Sequence, residues 1–595
     1  MRENNTERDM RPLIEQINGL PLLGLIESLQ ITKNDVTNTM CKPLPETIRI
    51  NPLMLNVDET KQMIESYGGT QIKWYKGNQP AYKMPWTRGK QPTIEIKKMM
   101  QVLHQTGRIT QQEEVSMLPV QLLNPKEGER ILDACAAPGS KTTQLAEWTS
   151  EKSVVIGNEI NPGRVNTLVS NTKRLALHSV TVTKHDARSY PKVPLPGFDA
   201  AIVDAPCSGS GTMRKNLDVW WKWKPHSARS LHNLQLSIAE RTAKLLRPGG
   251  KMVYSTCSLD PIENEAIIAE LIRNCPWMEI EKIDVEKTFP YFKVRSGLKT
   301  WKHLDSDGNI AHKVDDLIGI KQSHIEPGIS ANNLKDLDPN KYRDEDLEEQ
   351  IMNDISNCVR VYPHDNNTGG FFLALLKQKD VEYKNARALR KINTGTMNKE
   401  HLPKQSKFSP KQIKPENMMQ ISSNWGVPEN NNYSWWERGR TISIANKLTK
   451  SWLFDSQRID RSGYIVPGGY WHPLNVIHTG SVAFELSDKF GYRPKSKAIE
   501  LLSELISKNR VMITEDIFLK VLNGDLPTKS ELQNSDTLSE EAKIFFQNDR
   551  IGAILLDIDN SEFKSPIPAW FASKLSLMID DNEKTILKEY MERWQ

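Results

Sequence analysis

Between Arg130 and Leu376 the sequence alternates short apolar runs with helical patterns, and this alternation limits the fold more than any other feature of the chain. The apolar runs end at turn residues, as buried strands do. The predicted strands lie at 130–139, 154–160, 180–186, 198–207 and 252–258, with a closing hairpin at 358–376, and the clearest helical patterns at 161–175, 226–247 and 261–274. Strands that alternate with helices predict an α/β fold with a doubly wound parallel sheet.

The regions on either side of this sheet differ from it in pattern. Residues 1–120 mix helical and extended patterns and form a separate N-terminal extension, which leaves 121–377 for the α/β domain. Ten lysines and arginines stand against four acids between 379 and 416, in a stretch with few aliphatic residues. That composition predicts a basic flexible linker over 378–430. Residues 431–595 return to a globular composition and predict a C-terminal domain.

Overall composition excludes several classes of protein. The chain has 595 residues, a net charge of +5 and 38% hydrophobic residues, a profile typical of globular proteins. Its apolar runs are too short to span a bilayer, and its polar N-terminus predicts neither a secretory signal nor a transit peptide. Six cysteines are too few for a disulfide framework, so we expect a reducing intracellular compartment.

The first motif that carries chemistry is D-A-C-A-A-P-G-S-K at 133–141, where the first predicted strand turns into a helix. Its small side chains and Gly139 let the main chain approach a ligand closely, and ligands of doubly wound sheets bind at the carboxyl ends of strands. The motif lacks the G-x-G-x-x-G pattern of dinucleotide-binding folds. Because Lys141 follows Ser140 rather than glycine, it is not a phosphate-binding P-loop either.

Acidic residues close three successive predicted strands, at Asp133, Glu159 and Asp186. Glu159 lies 20 residues after Gly139, a spacing that suits hydrogen bonds to ribose hydroxyls. Asp186 is placed to bind an adenine amine. Each acid alone is explained as well by a helix cap or a solvated turn, but three together favour a ligand site. A nucleoside ligand without a phosphate-binding pattern indicates S-adenosylmethionine.

Two cysteines follow later strands in matching positions, Cys207 in P-C-S-G and Cys257 in T-C-S. A thiolate is a strong nucleophile when its surroundings lower the pKa of the thiol. A lone cysteine is more often a small buried apolar residue. That second interpretation suits Cys41, Cys135, Cys275 and Cys358.

Residues 213–224, M-R-K-N-L-D-V-W-W-K-W-K, interleave cations with tryptophans. Cations pair with phosphates, and aromatic faces stack on unpaired bases. Core packing explains each tryptophan equally well. The candidates for substrate contact are Arg214, Lys215, Trp220 and Trp223.

Together these motifs resemble the Sun-type (Fmu/NOL) family of RNA cytosine methyltransferases, over about residues 100–377. The resemblance rests on D-A-C-A-A-P-G-S-K-T-T-Q-L, V-D-A-P-C-S-G-S-G-T-M-R-K-N, Y-S-T-C-S-L-D-P-I-E-N-E-A and H-D-N-N-T-G-G-F-F. Within the family, the segment that follows Met213 is most similar to the eukaryotic multisite tRNA cytosine-C5 methyltransferases. The resemblance implies a Rossmann-like methyltransferase sheet, an N-terminal α+β extension that docks RNA and a small β-rich, PUA-like C-terminal domain.

The resemblance also implies roles for individual residues. Cys257 would be the nucleophile that attacks carbon 6 of cytosine, and Cys207 would assist release of the product. Lys141 and Asp204 would contact the target base. The cofactor pocket would consist of Asp133, Cys135, Ala136, Ala137, Pro138, Gly139, Ser140, Lys141, Glu159, Asp186 and Asp204.

The predicted function is therefore S-adenosylmethionine-dependent methylation of cytosine carbon 5 in tRNA. Two alternatives are the same chemistry on ribosomal RNA and a non-catalytic RNA-binding scaffold on this fold. We expect no metal and no membrane partner, and a monomer. The cations around Arg387–Lys391 and Lys404–Lys414 are compatible with a nuclear import signal, although scattered cations more often form a solvated linker. We expect a nuclear location, with the cytoplasm as the alternative.

Overall fold

A computed structural model describes the chain in nine ranges. These are residues 12–312, 317, 319–328, 344–380, 396, 408–460, 463–547, 551–563 and 565–594. Within these ranges, no helix is long and apolar enough to cross a membrane.

The N-terminal region packs short helices beside an antiparallel sheet, which confirms the predicted α+β extension. Its helices are α1 (Ile14–Ile17), α2 (Pro21–Ser28), α3 (Lys33–Asp35), α4 (Val57–Ser66) and α5 (Ile94–Gln105), and its strands are β1 (Pro45–Ile50), β2 (Thr70–Gln71), β3 (Ala81–Thr87) and β4 (Ile109–Gln111). The sheet has the strand order β2-β3-β1-β4.

The central region forms the predicted α/β sheet. Its strands are β5 (Arg130–Asp133), β6 (Val154–Asn158), β7 (Val180–Thr183), β8 (Phe198–Asp204), β9 (Leu246–Thr256), β10 (Met278–Ile280), β11 (Arg295–Ser296), β12 (Val359–Val361) and β13 (Phe371–Gln378). Its helices are α6 (Leu118–Leu123), α7 (Ser140–Trp148), α8 (Pro162–Arg174), α9 (Asp218–Lys222), α10 (Pro225–Ala243), α11 (Glu265–Asn274), α12 (Val285–Thr288), α13 (Glu345–Asp354) and α14 (Pro363–Asn366).

Five strands of this sheet are parallel, in the spatial order β9-β8-β5-β6-β7. β13 continues the sheet antiparallel to β9, and β12 and β11 follow it. Neighbouring residues of one strand belong to different hydrophobic cores, since Ile131 and Leu132 face opposite sides. A sheet that is buried on both faces needs strands that are apolar along their whole length. The short apolar runs in the sequence show this pattern, and they predicted the sheet.

The C-terminal region contains three smaller sheets, of five, two and four strands, with helices beside them. Its strands are β14 (Lys411–Gln412), β15 (Tyr433–Arg438), β16 (Thr441–Asn446), β17 (Arg458–Ile459), β18 (Ile465–Val466), β19 (Val476–Thr479), β20 (Ser481–Ser487), β21 (Gly491–Pro494), β22 (Arg510–Thr514), β23 (Gly552–Asp559), β24 (Ile567–Phe571) and β25 (Leu575–Leu577). Its helices are α15 (Pro415–Trp425), α16 (Ile499–Leu502), α17 (Glu515–Asn523), α18 (Lys529–Gln533), α19 (Glu540–Gln547) and α20 (Asp581–Trp594). The predicted β-rich character is confirmed, and the likeness to a PUA fold stays a prediction.

The C-terminal region packs on both earlier regions. β19 pairs antiparallel with β7 and so adds an edge strand to the central sheet. α20 lies against the N-terminal sheet, where Ile586 and Tyr590 share a hydrophobic core with β1 and β3. Strand pairing and a shared hydrophobic core therefore join the three regions, and the domain boundaries stay a prediction.

The predicted flexible linker over 378–430 is wrong for residues 408–430. β14 pairs with β15, and α15 buries Ile421 and Trp425 in the C-terminal core. Met418, Ile421 and Trp425 recur at helical spacing, and burying them favours an ordered helix despite the lysines that precede it. Most of 381–407 lies outside the described residues, and so does most of the predicted import signal.

Candidate active site

The carboxyl ends of the five parallel strands bring the predicted site segments to one edge of the central sheet. Along the order β9-β8-β5-β6-β7, the segments that follow the strands are Cys257, Cys207, the turn 133–141, Glu159 and Asp186. The strand order reverses between β5 and β8, and ligands of doubly wound sheets bind at this reversal.

The turn after β5 packs closely on α8. Gly139 has a φ of +113°, a backbone conformation that disfavours other residues, and a Cβ at this position would lie 2.9 Å from Leu168 Cδ1. α7 starts at the next residue, Ser140. Close packing behind the turn leaves its main chain facing the cavity described below.

Asp133 ends β5 beneath this turn and is buried. The Thr142 hydroxyl donates a hydrogen bond of 2.6 Å to Oδ2, whereas Oδ1 has no hydrogen-bond partner among the described residues. Burial raises the pKa of Asp133 to about 6, although the bond from Thr142 and the charge of Lys141 oppose this. A buried acceptor without a donor marks a place for a ligand hydroxyl or amine.

Lys141 and Asp204 form an ion pair beside the turn. Lys141 Nζ lies 2.8 Å from Asp204 Oδ2 and donates to Ser116 Oγ at 2.8 Å. Ser255 Oγ donates to the other oxygen, Asp204 Oδ1, at 2.9 Å. The ammonium group also lies 5.5 Å from the centre of the Phe371 ring. The pair thus combines a positive donor with a carboxylate on one wall of the cavity.

Cys207 and Cys257 come together where β8 and β9 end. Their sulfur atoms are 3.2 Å apart, and neither cysteine is in a disulfide. The hydrogen bond with Cys257 raises the pKa of Cys207 well above its usual value, and burial raises it further. Cys207 therefore stays a thiol at neutral pH and is positioned to donate its S–H to Cys257 Sγ.

Glu263 joins the two cysteine loops from behind and is fully buried. Oε1 accepts from Ser208 N at 2.8 Å and from Gln235 Nε2 at 2.9 Å. Oε2 accepts from the hydroxyls of Ser208 and Ser258. Since each serine directly follows one of the paired cysteines, this carboxylate ties both loops to one point.

A cavity of about 500 Å³ lies beside these groups, and Cys207 and Glu263 are not among the residues that line it. The turn residues Cys135 to Lys141, Asp204 and Cys257 line one side. The N-terminal region supplies the opposite wall, including Glu113 and Ser116, which the sequence analysis missed. Burial raises the pKa of Glu113. No sequence pattern marks these two residues, because only tertiary packing brings them to the site.

Glu159 and Asp186 lie outside the residues that line this cavity, on the side of the sheet edge near β6 and β7. Glu159 Oε1 accepts from the main-chain N–H groups of Ile160 and Asn161, each at 2.9 Å. Asp186 pairs with Arg188 at 2.6 Å. Their predicted contacts to a nucleoside stay predictions.

Three of the four predicted substrate contacts are wrong. Trp220 is fully buried and Trp223 is 3% exposed, so neither ring face is open to a base. Arg214 is also buried and donates to the carbonyl oxygens of Lys42, Pro43 and Thr368. The tryptophans fill the core beneath the N-terminal helices, as the alternative interpretation held. Lys215 is exposed and lines the cavity, as its predicted role requires.

In the part of the chain that the structure describes, no group of three or more histidine, cysteine, aspartate or glutamate side chains is arranged to hold a metal ion.

Comparison with known proteins agrees with this site. The sequence model of the family described as 16S rRNA methyltransferase RsmB/F matches residues 120–309. A tRNA (cytosine(49)-C(5))-methyltransferase of Pyrococcus abyssi is 30% identical over 57% of this chain and 89% of its own length. The chain belongs to the RsmB/F methyltransferase family. The cysteine pair and the turn 133–141 both lie within the matched residues.

Two fungal relatives are named multisite-specific tRNA:(cytosine-C(5))-methyltransferases. The relative from Schizosaccharomyces pombe is 34% identical over 57% of this chain and 55% of its own length. The relative from Saccharomyces cerevisiae is 33% identical over 60% of this chain and 53% of its own length. The chain spans about half the length of these two relatives in the matched region.

Proposed function

We propose that this protein methylates carbon 5 of cytosines in tRNA, with S-adenosylmethionine as the methyl donor. The observation that carries the proposal is the sulfur–sulfur contact of 3.2 Å between Cys207 and Cys257, beside the turn 133–141. The names of the Pyrococcus and fungal relatives support cytosine in tRNA as the substrate.

The residues around β5 fit S-adenosylmethionine. Asp133 offers a buried oxygen without a donor, and the turn 133–141 exposes main chain next to it. Glu159 and Asp186 follow the next two strands at the same edge, where an extended nucleoside would reach them. When bound, the cofactor supplies an electrophilic methyl group on a positively charged sulfur.

Cytosine carbon 5 needs activation before it accepts a methyl group, because the neutral ring is a weak nucleophile. The Cys257 thiolate would add to carbon 6, which forms a carbon–sulfur bond and leaves electron density on carbon 5. Cys207, which stays protonated, would stabilise the Cys257 thiolate before the attack through its S–H. The target base must be unpaired or pulled from its stack to reach these sulfurs.

Asp204 and Lys141 would stabilise the charge that develops on the cytosine ring. Addition at carbon 6 increases electron density at ring nitrogen 3, and a proton shared with Asp204 would offset it. Lys141 holds Asp204 in place at 2.8 Å, and its ammonium group would also attract a ring oxygen or a phosphate. After methylation, the carbon-5 proton would pass to water in the site and the carbon–sulfur bond would break, which releases the Cys257 thiolate and restores the aromatic ring. The Cys207 S–H would stabilise that departing thiolate.

Ribosomal RNA is a second candidate substrate, since the matching family model carries a 16S rRNA description. Bisulfite mapping of cellular RNA with and without the protein tests both candidates, together with methylation of purified tRNA and ribosomal RNA fragments. Protection of tRNA cytosines that depends on the protein is the expected result. Protection confined to ribosomal RNA would favour the second candidate, and no protected cytosine would contradict the activity.

A further inference from the structure

A second groove runs beside the active-site cavity, and Pro45 lines both. It has a volume of about 690 Å³ and lies between the N-terminal sheet, the segment 291–292 and the end of α14. We call this the flanking groove. Lys73, Lys83, Trp74, Tyr291 and Asn366 are among its lining residues. None of the roles described above uses this groove.

Tyr291 stands at the edge of the flanking groove with 88% of its surface exposed. Its φ is +64°, a left-handed conformation that is strained and rare for a bulky side chain. Exposure of an aromatic ring offers no packing energy to offset that strain. Strained residues of this kind concentrate at functional sites.

Contacts on both sides of Tyr291 anchor the main chain from which it projects. Phe289 and Phe292 are buried and pack on Trp74, with ring centres 6.1 and 5.1 Å away. Asn366 binds the main chain of Lys293 in both directions, at 2.9 and 2.7 Å. The segment is therefore anchored in a conformation that presents Tyr291 outwards.

Cations lie on the opposite wall of the flanking groove. Lys73 is exposed there, and Lys83 Nζ is 2.6 Å from Glu114. A preformed aromatic platform with a nearby cation is the combination that binds an unpaired nucleotide, through base stacking and a phosphate contact.

We propose that the flanking groove binds a second, unpaired nucleotide of the RNA strand that carries the target cytosine. Its base stacks on Tyr291 and its phosphate contacts Lys73. Because Pro45 lines both the flanking groove and the active-site cavity, the two lie close enough for one strand to reach both. The inference rests on the proposed function, because it takes RNA as the occupant.

The test compares tRNA binding by full-length wild-type protein, Tyr291→Ala, Tyr291→Phe and Lys73→Ala, measured by fluorescence anisotropy over a range of salt concentrations. Stacking contributes about 1–3 kcal/mol per base, so Tyr291→Ala should weaken binding at least about fivefold. Tyr291→Phe should bind like the wild type, because it keeps the ring. Lys73→Ala should lower the slope of log K against log salt by about one, whereas Tyr291→Ala should leave that slope unchanged.

Leu195→Ala is the matched control, since Leu195 is 87% exposed and lies outside the flanking groove. Binding within twofold of wild type for Tyr291→Ala, or equal losses for Tyr291→Ala and Tyr291→Phe, would overturn the proposal. The binding assay needs no turnover, so a wild-type protein that binds tRNA without methylating it would contradict the proposed function and not this inference.

Discussion

The two sulfurs at the active site differ in what the fold does to them. The hydrogen bond to Cys257 and burial raise the pKa of Cys207, so this side chain stays a thiol and can act as a hydrogen-bond donor. Cys257, the proposed nucleophile, lines the active-site cavity, whereas Cys207 is not among the lining residues. The sequence indicated both cysteines through their matching positions after strands, but only the structure shows that their sulfurs are in contact and that Cys257 is the one that lines the cavity.

Substitution of the two cysteines should therefore give opposite results. Cys257→Ala removes the proposed nucleophile, so methylation of tRNA should fall by at least about 10³-fold while cofactor affinity stays unchanged. Cys207→Ala should allow attack but impair release, so a covalent protein–RNA adduct should accumulate as a band that resists denaturant on a gel. Cys275→Ala, at a buried cysteine away from the site, is the control. An adduct in Cys257→Ala and not in Cys207→Ala would reverse the assignment.

Asp133 links the cofactor site to stability through its ionisation. Its pKa is about 6 in the folded protein against 3.8 for the ordinary side chain, so between these values the folded state binds more protons than the unfolded state. The contribution of this group to stability is thus greatest below about pH 4 and is lost as the pH rises through 6. The charged form costs the fold about 1–3 kcal/mol at pH 8.

Asp133→Asn should relieve that cost, because an amide carries no charge and can still accept the bond from Thr142. The melting temperature of the ligand-free variant should exceed that of the wild type at pH 8, and the difference should shrink towards pH 5. Cofactor affinity should fall at least about tenfold. If the melting temperatures of variant and wild type differ by the same amount at every pH from 5 to 8, the Asp133 carboxyl is not the origin of the pH dependence.

At the scale of elements, the patterns of the chain predicted the central sheet well and its edges poorly. β5 to β9 are apolar because both faces are covered, and such strands are visible in a sequence. β19 is only four residues long and joins the sheet from a region far along the chain, so no local sequence pattern predicts its pairing with β7. α15 does carry a helical spacing of apolar residues, but the lysines before it favoured a linker.

Glu263 couples two elements of the sheet, because its carboxylate binds both the loop after β8 and the loop after β9. In Glu263→Gln, the amide nitrogen cannot face Ser208 N and Gln235 Nε2, which are themselves donors. It must face the hydroxyls of Ser208 and Ser258, which then lose their acceptor at a cost of about 1–3 kcal/mol each. We expect kcat to fall at least about tenfold while the KM for the cofactor changes little.

A second measurement separates loop positioning from general damage. The charge of Glu263 also raises the pKa of Cys207, after the bond to Cys257 and burial. Alkylation of Cys207 should therefore move to lower pH in Glu263→Gln. Glu270→Gln makes the same chemical change on α11, beside Arg273 rather than beside the cysteines, and should alter neither kcat nor the alkylation profile. Unchanged alkylation in Glu263→Gln would contradict a direct link to Cys207.

At the scale of the whole molecule, the last helix supports a wall of the active site. Arg108 is buried at the start of β4 and donates to both carboxylate oxygens of Glu583 on α20, at 3.0 and 2.6 Å. Arg108 Nε also donates to the Tyr590 hydroxyl at 3.1 Å. β4 leads directly to Gln112 and Glu113, which line the cavity. These contacts join the C-terminal helix to the N-terminal sheet, although the two segments lie 475 residues apart in the chain.

Glu583→Ala should make this wall of the cavity less rigid without changing the turn 133–141. It leaves a buried guanidinium without its carboxylate, and breaking such a pair costs about 3–5 kcal/mol when both partners are buried, less here because Glu583 is 22% exposed. We expect faster hydrogen exchange in α20 and β4, and a KM for tRNA raised at least about threefold with cofactor affinity unchanged. Lys584→Ala removes an exposed neighbour that pairs only within α20, with Asp581, and should change neither measurement. Faster hydrogen exchange in α20 alone, with exchange in β4 and the KM for tRNA as in the wild type, would contradict this prediction. It would mean that α20 does not stabilise the cavity wall.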